Sequence, residues 1–191
     1  MSDREPLMFR LVEAVESQLR RRATPGQLRL AYRLGYLVLR PVWFVTRPHT
    51  RGVKAVVRCG DRVLLVRHTY ARRGEWDIPG GFLHPAEDPE VALRRELSEE
   101  LGVTPTGITS IGVTPSRFDH KREQLYLFRV DVAGETVRAS EAEIAEARWF
   151  PRQALPERTA RLARRMVARS AWDYWTHRPD DERAGRAGPG A

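Results

Sequence analysis

An α/β fold is what this sequence predicts. Apolar residues recur at helical spacing near both ends of the 191-residue chain. Between them lie short runs rich in β-branched residues, and a well-delimited helix interrupts those runs after the first two.

Residues 5 to 22 predict an amphipathic helix, with Leu7, Leu11, Val12, Val15 and Leu19 at helical spacing. "ATPGQ" (residues 23 to 27) breaks the pattern, and a second helical stretch runs from 28 to 45, which Pro41 should end or kink. That stretch suits a cover over the core, a homodimer interface or weak association with a membrane surface, since aromatics and arginines flank its apolar middle. The period then changes. "GVKAVVR" (52 to 58) and "RVLLVRH" (62 to 68) read as two strands, and the "CGD" between them as a hairpin turn. "ITSIGVT" (108 to 114), "QLYLFRVDV" (124 to 132) and "ARWF" (147 to 150) are further strand candidates. A last helix is expected from about Glu157 to Trp175, with Leu162, Met166 and Val167 inward, followed by a tail without periodicity.

A formal net charge of +8, almost all of it arginine, favours anionic partners such as nucleotides and phosphates, and does not choose among them. Cys59 is the single cysteine, which excludes an internal disulfide and a cysteine metal cluster. The five histidines lack zinc-ligand spacing. The charged start is unlike a secretory signal and no charge-free stretch is long enough to span a bilayer, so a cytoplasmic protein is expected.

The chemistry concentrates in "WDIPGGFLHPAEDPEVALRRELSEELGV" (76 to 103). Asp88 is a good N-cap, Pro89 tolerates the first helical position and Gly102 suits the C-terminal cap, which delimits a helix from Pro89 to Leu101. Leu93, Leu97 and Leu101 form its apolar stripe. Glu96, Glu99 and Glu100 fall within an adjacent arc of roughly 100°. Crowded like charges are unfavourable, and Arg95 can offset part of the repulsion through Glu99 at i+4. The residues alone leave two readings open: a solvated, salt-bridged face, or hard oxygen ligands gathered for Mg²⁺.

From Gly81, five residues lead to Glu87, and seven more lead to "RELSEELGV" beginning at Arg95. Position for position, this stretch resembles the signature box of the Nudix hydrolases. The resemblance covers about residues 50 to 155, with "WDIPGG" and "EARWFPRQALP" also similar to the family. It implies an α/β/α sandwich around a mixed β-sheet, and cleavage of a diphosphate bond in a nucleoside diphosphate linked to another moiety. It also implies that Glu96, Glu99 and Glu100 bind divalent cations, Mg²⁺ with Mn²⁺ as a substitute, and that the Gly80 carbonyl is a further ligand. Glu96 would orient or deprotonate the attacking water, Glu87 would assist through the metal shell, and Arg95 would hold the loop and helix together. Ala86 stands where many members have glycine, and a slightly altered loop is expected there.

Residues 1–48 are then read as an N-terminal helical extension, 49–176 as the Nudix domain and 177–191 as a disordered tail. Nucleotide sugars or ADP-ribose-like compounds are the favoured substrates. The alternatives are a nucleoside triphosphate pyrophosphohydrolase of the oxidised-nucleotide type and a non-catalytic nucleotide- or RNA-binding module. No stable nucleic-acid partner is expected. Arg67, His68, Arg72 and Arg117 are candidate substrate contacts, each with a solvated basic loop as the plainer reading. Glu123, Glu141 and Glu143 are candidates for an acid from outside the box, and an ordinary surface role is the plainer reading for each.

Overall fold

A computed structural model describes residues 23–69, 74–118 and 121–169. The expected helix at 5 to 22 and the tail lie outside these residues. Helix α1 (Pro25–Thr46) starts earlier than the apolar pattern indicates. Its N-cap is Thr24, whose side chain accepts a hydrogen bond from the Gln27 N–H while the Gln27 side chain accepts from the Thr24 N–H. Pro25, read from sequence as part of a break, is the first residue of the helix, where its missing N–H costs nothing. Of the two outcomes expected at Pro41, an end or a kink, the helix does not end there. It lies inside it, and the stop comes at Arg47, in the left-handed conformation, with Pro48 next.

Strands β1 (His49–Cys59) and β2 (Arg62–His68) form the expected hairpin. Gly60, at φ 58°, occupies the first turn position, where that conformation favours glycine. Next to the turn the strands pair antiparallel, Arg58 with Val63 and Cys59 with Arg62. Further on, residues 77 to 83 bond to both strands. The Val53 N–H donates to the Gly81 carbonyl at 2.9 Å and the Ala55 N–H to Pro79 at 3.0 Å. On the other side Val66 and Asp77 exchange two backbone bonds, at 2.8 and 2.9 Å. The "WDIPGG" stretch is therefore a wedge between the two strands.

Helix α2 (Pro89–Leu101) follows, then β3 (Gly107–Phe118), β4 (Lys121–Asp131), β5 (Ile144–Pro151) and helix α3 (Arg161–Arg169). The sheet order is β3-β4-β1-β2-β5, with β1 and β4 parallel and every other pair antiparallel, so the sheet is mixed. Strand alternation divides the core. Val53, Ala55, Val57, Leu64 and Val66 face one way and pack with Leu93, Leu97 and Leu101 of α2. Val56, Val63 and Leu65 face the other way and pack with Trp76, Ile78 and with Ala163, Met166 and Val167 of α3. A sheet covered by one helix on each face is the α/β/α sandwich that the resemblance implies. Among the described residues, no helix is long and apolar enough to cross a membrane.

Helix α3 begins four residues later than expected, at Arg161. The preceding backbone is engaged elsewhere: the Trp76 N–H donates to the Arg158 carbonyl and the Ala160 N–H to the Trp76 carbonyl. Met166 and Val167 are buried as anticipated, and Leu162 is half-buried.

Candidate active site

The box helix is fixed at both ends by its own sequence. Asp88 accepts from the backbone N–H groups of Glu90 and Val91, and Gly102, at φ 61°, donates to the Leu97 and Ser98 carbonyls. With Leu93, Leu97 and Leu101 fully buried, the rotation of the helix is set, and Glu96, Glu99 and Glu100 must point where they do. The three carboxylates then meet different surroundings. Glu100 is only 4% exposed, whereas the Glu99 side chain is 50% exposed. Glu96 lies between them, its carboxyl resting on Gly81. A Cβ on Gly81 would sit 2.2 Å from the Glu96 carboxyl carbon, so only glycine fits opposite this glutamate. A Cβ on Gly80 would overlap the Val53 carbonyl at 2.0 Å, so the wedge approaches β1 closely for the same reason.

Arg95 ties the loop to the helix. Its guanidinium donates to both oxygens of Glu87, each at 3.0 Å, to Glu96 Oε1 at 2.9 Å and to the Phe82 carbonyl at 3.1 Å. The i+4 partner expected from sequence, Glu99, is more distant at 3.8 Å. The Arg95 hydrogen bond holds the Glu87 carboxyl below its ordinary pKa, helped by the His84 N–H. Burial works against the Arg95 charge, yet Glu87 and Glu96 outweigh it and raise its pKa.

Glu96 and Glu100 are shifted the other way. Burial pushes both upward, Glu100 strongly. Neighbouring carboxylates add to the effect: Glu143 and Glu99 act on Glu96, and Glu96 and Glu143 on Glu100. Glu143 comes from the loop before β5. That loop is held to the end of α2 by the Arg138 N–H on the Leu101 carbonyl and the Ser140 N–H on the Glu100 carbonyl, each at 2.7 Å. Glu143 is thereby brought against the box carboxylates. It is itself buried, and it helps to hold the Glu100 carboxyl above its ordinary pKa. Glu141 is exposed. Glu123 is half-buried near the wedge, its Oε1 and the Gly81 carbonyl both crowding the space over Gly52.

Lys54 was not singled out from sequence. It is half-buried on β1, donating to Asp77 at 2.5 Å and to the Ile78 carbonyl at 3.3 Å, and its charge acts on Glu100. A lysine amid a strand's apolar run was the available signal.

The candidate substrate contacts meet different fates. Arg67 lies over the Trp76 ring at 4.4 Å and pairs with Glu146 at 3.1 Å. His68 is driven down to a pKa of about 4 by burial, with Lys54 adding to the shift, so at neutral pH it is an uncharged group rather than a cation for phosphate. Arg117 lies near the end of β3, level with Arg122 of β4. Arg72 lies outside the described residues. His84 is exposed in the box loop, and Trp76 is buried core.

Among the described residues, no three acidic or imidazole groups close into a finished cation cage. Glu96 and Glu87 are instead held by Arg95. The donors nonetheless suit a hard divalent cation. Glu100 Oε2 is buried without a hydrogen-bond partner, and Glu96 and Glu143 carry charge toward the same carboxyl.

Comparison with known proteins agrees with this geometry. The NUDIX domain family matches residues 48–170. A protein of Vibrio atlanticus, "NAD-capped RNA hydrolase NudC", is 29% identical over 119 residues, covering 61% of this chain and 44% of the relative. The NudC of Pseudomonas aeruginosa is 34% identical over 134 residues, covering 70% of this chain and 45% of the relative. The chain thus spans less than half the length of these curated relatives. In fold, it resembles the MutT NUDIX hydrolase of Burkholderia pseudomallei, with a TM-score of 0.59 at 22% identity over 64% of this chain and 98% of that one. From the box geometry and the extent of the family match, the chain belongs to the Nudix hydrolase family.

Proposed function

We propose that this chain is a divalent-metal-dependent hydrolase that cleaves a diphosphate bond in a nucleoside diphosphate derivative, with Mg²⁺ as the resident cation and Mn²⁺ as a substitute. The observation that carries this reading is Glu100, a buried carboxyl with an unpartnered oxygen, pressed by Glu96 and Glu143. Such a cluster is unfavourable by itself, and removing one proton from each member calls for a positive charge among them. Glu96, Glu99, Glu100 and Glu143 would hold the cation, with the Gly80 carbonyl beside them. When bound, it supplies neutralisation of diphosphate charge and a lowered pKa for water.

The residues of the chain do the rest. Glu96 is seated on Gly81 and oriented by Arg95, and its raised proton affinity suits it to accept a proton from the attacking water. Glu87 keeps Arg95 in place. Diphosphate cleavage requires mainly positioning and charge stabilisation, so no covalent nucleophile is called for.

The substrate is proposed to be a dinucleotide or nucleotide-sugar diphosphate, in which a second moiety lies beyond the cleaved bond. The NudC relatives are named for hydrolysis of NAD-capped RNA, and NAD is a compound of this class. The experiment is a panel of nucleotide sugars, ADP-ribose, NAD, NAD-capped RNA and nucleoside triphosphates, incubated with Mg²⁺ and read by mass spectrometry of both products. Release of two monophosphate-bearing fragments from a diphosphate substrate is expected. Glu96→Gln should lower kcat about 10³-fold while the melting temperature stays near that of the parent. Turnover of no compound, with tight nucleotide binding retained, would transfer the reading to a binding module.

A further inference from the structure

Where the wedge parts β1 from β2, an ion pair spans the gap. Lys54 of β1 donates to Asp77 Oδ2 at 2.5 Å and to the Ile78 carbonyl at 3.3 Å. Asp77 belongs to the other side of the gap, since its backbone exchanges two hydrogen bonds with Val66 of β2. Its second carboxylate oxygen accepts from the Ile78 N–H at 2.8 Å. The wedge thus holds the ammonium at a defined point. The two side chains are 20% and 26% exposed, so water and salt screen the pair only in part.

That point adjoins the carboxylate cluster. On either side of Lys54 the β1 backbone carries the end of the wedge, the Val53 N–H donating to Gly81 and the Ala55 N–H to Pro79. The Lys54 stem runs along Gly80, where a Cβ would come within 2.9 Å of its Cγ. Gly81, next in the chain, is the seat of the Glu96 carboxyl. The Lys54 charge is felt at Glu100, where it opposes the effect of Glu96 and Glu143. A fixed ammonium here repels the same cation that the carboxylates attract. An apolar side chain at position 54 could close the gap at little or no cost in stability, so bracing alone does not call for a pair of charges.

We propose that Lys54 and Asp77 form a charge balance that sets how tightly the box carboxylates hold their divalent cation, Lys54 loosening it and Asp77 tightening it. The inference rests on the reading that Glu96, Glu99, Glu100 and Glu143 bind such a cation. Asp77 cancels most of the repulsion from Lys54 by pairing with it. Without the lysine, nothing in the gap opposes the crowded carboxylates, and the cation is held more tightly. Without the aspartate, the ammonium is a flexible, unneutralised point charge that competes with the cation for the same oxygens.

Titration of the full chain with Mn²⁺ tests this, with unbound Mn²⁺ read by electron paramagnetic resonance at low ionic strength and without substrate. Lys54→Met and Lys54→Gln should each lower the Mn²⁺ Kd about fivefold, and either decides if the other misfolds. Asp77→Asn should raise it by about the same factor. Lys54→Met combined with Asp77→Asn should return close to the parent, because the net charge is then unchanged. Opposite signs are the signature, since a pair that only braces the wedge would weaken binding in every variant. Shifts of the same sign from Lys54→Met and Asp77→Asn, or no shift from either, would overturn the inference. Glu100→Gln tests the cation site itself and should weaken Mn²⁺ binding roughly tenfold. If that variant binds Mn²⁺ as the parent does, the carboxylate reading fails and the charge balance falls with it.

Discussion

Helices α1 and α2 are both well capped, yet their apolar stripes end in opposite situations. Thr24 and Gln27 cap α1 reciprocally, and Asp88 and Gly102 close α2 at both ends. Local chemistry therefore specifies the two equally well. The stripe of α2 is fully buried on the sheet, and that burial fixes which way its glutamates point. Among the described residues, the stripe of α1 (Leu30, Leu34, Leu37, Val38 and Val45) faces solvent, and its rotation carries no chemistry. Caps decide where a helix begins and ends; only its packing partner turns it into part of a site.

The most forceful way to break this comparison is to shorten one leucine on each stripe. Leu97→Ala empties a fully buried position against the sheet and should cost about 3 kcal/mol, read as a shift of the urea midpoint at constant slope. Leu34→Ala shortens a half-exposed side chain and should cost less than about 0.5 kcal/mol. A loss above roughly 1 kcal/mol would mean that the stripe is covered in solution.

A second effect belongs to the sheet beneath the wedge. His68 holds its proton less tightly when folded, at a pKa of about 4 against 6.5 for an ordinary histidine. Between those values, the unfolded chain binds the proton and the folded chain resists it. The contribution of this group is therefore fully present above pH 6.5 and is lost as pH falls toward 4, by about 3 kcal/mol. Melting temperatures measured across that window should fall more steeply for the parent than for His68→Gln. Parallel slopes would show that the histidine is hydrated and titrates normally.

The sequence carried much of this, for identifiable reasons. Helix α2 was legible to the residue because Asp88, Pro89 and Gly102 act through contacts with near neighbours. The hairpin of β1 and β2 was legible for the same reason, through its turn. Lys54 and the particular part of Glu143 were not. Lys54 meets Asp77 across the wedge, and Glu143 meets Glu100 only because a loop far along the chain is tied to the end of α2. Nothing in the spacing of residues encodes those distances. Arg95 was half legible: its pairing with box carboxylates follows from proximity, but its tightest partners are Glu87 and Glu96 rather than Glu99, because the loop folds back under the helix.

Ala86 gives the smallest and cleanest test of how the box loop is held. A slightly altered loop is expected there because many members have glycine at this position. The Ala86 backbone is left-handed, at φ 56°, a conformation that a Cβ resists. The adjacent Glu87 explains why the turn is retained. Its carboxylate accepts two bonds from Arg95 and one from the His84 N–H, and relaxing the turn would pull it off all three. Those charge-assisted bonds outweigh a left-handed penalty of about 1 kcal/mol. Ala86→Gly should therefore recover most of that energy and raise the melting temperature by about 3 °C. Hydrolysis should be unchanged, because the Glu87–Arg95 geometry is already in place before the substitution. A melting temperature that fell would mean that Ala86 is not left-handed in solution, and that the flexibility added by glycine in the unfolded chain is the larger effect.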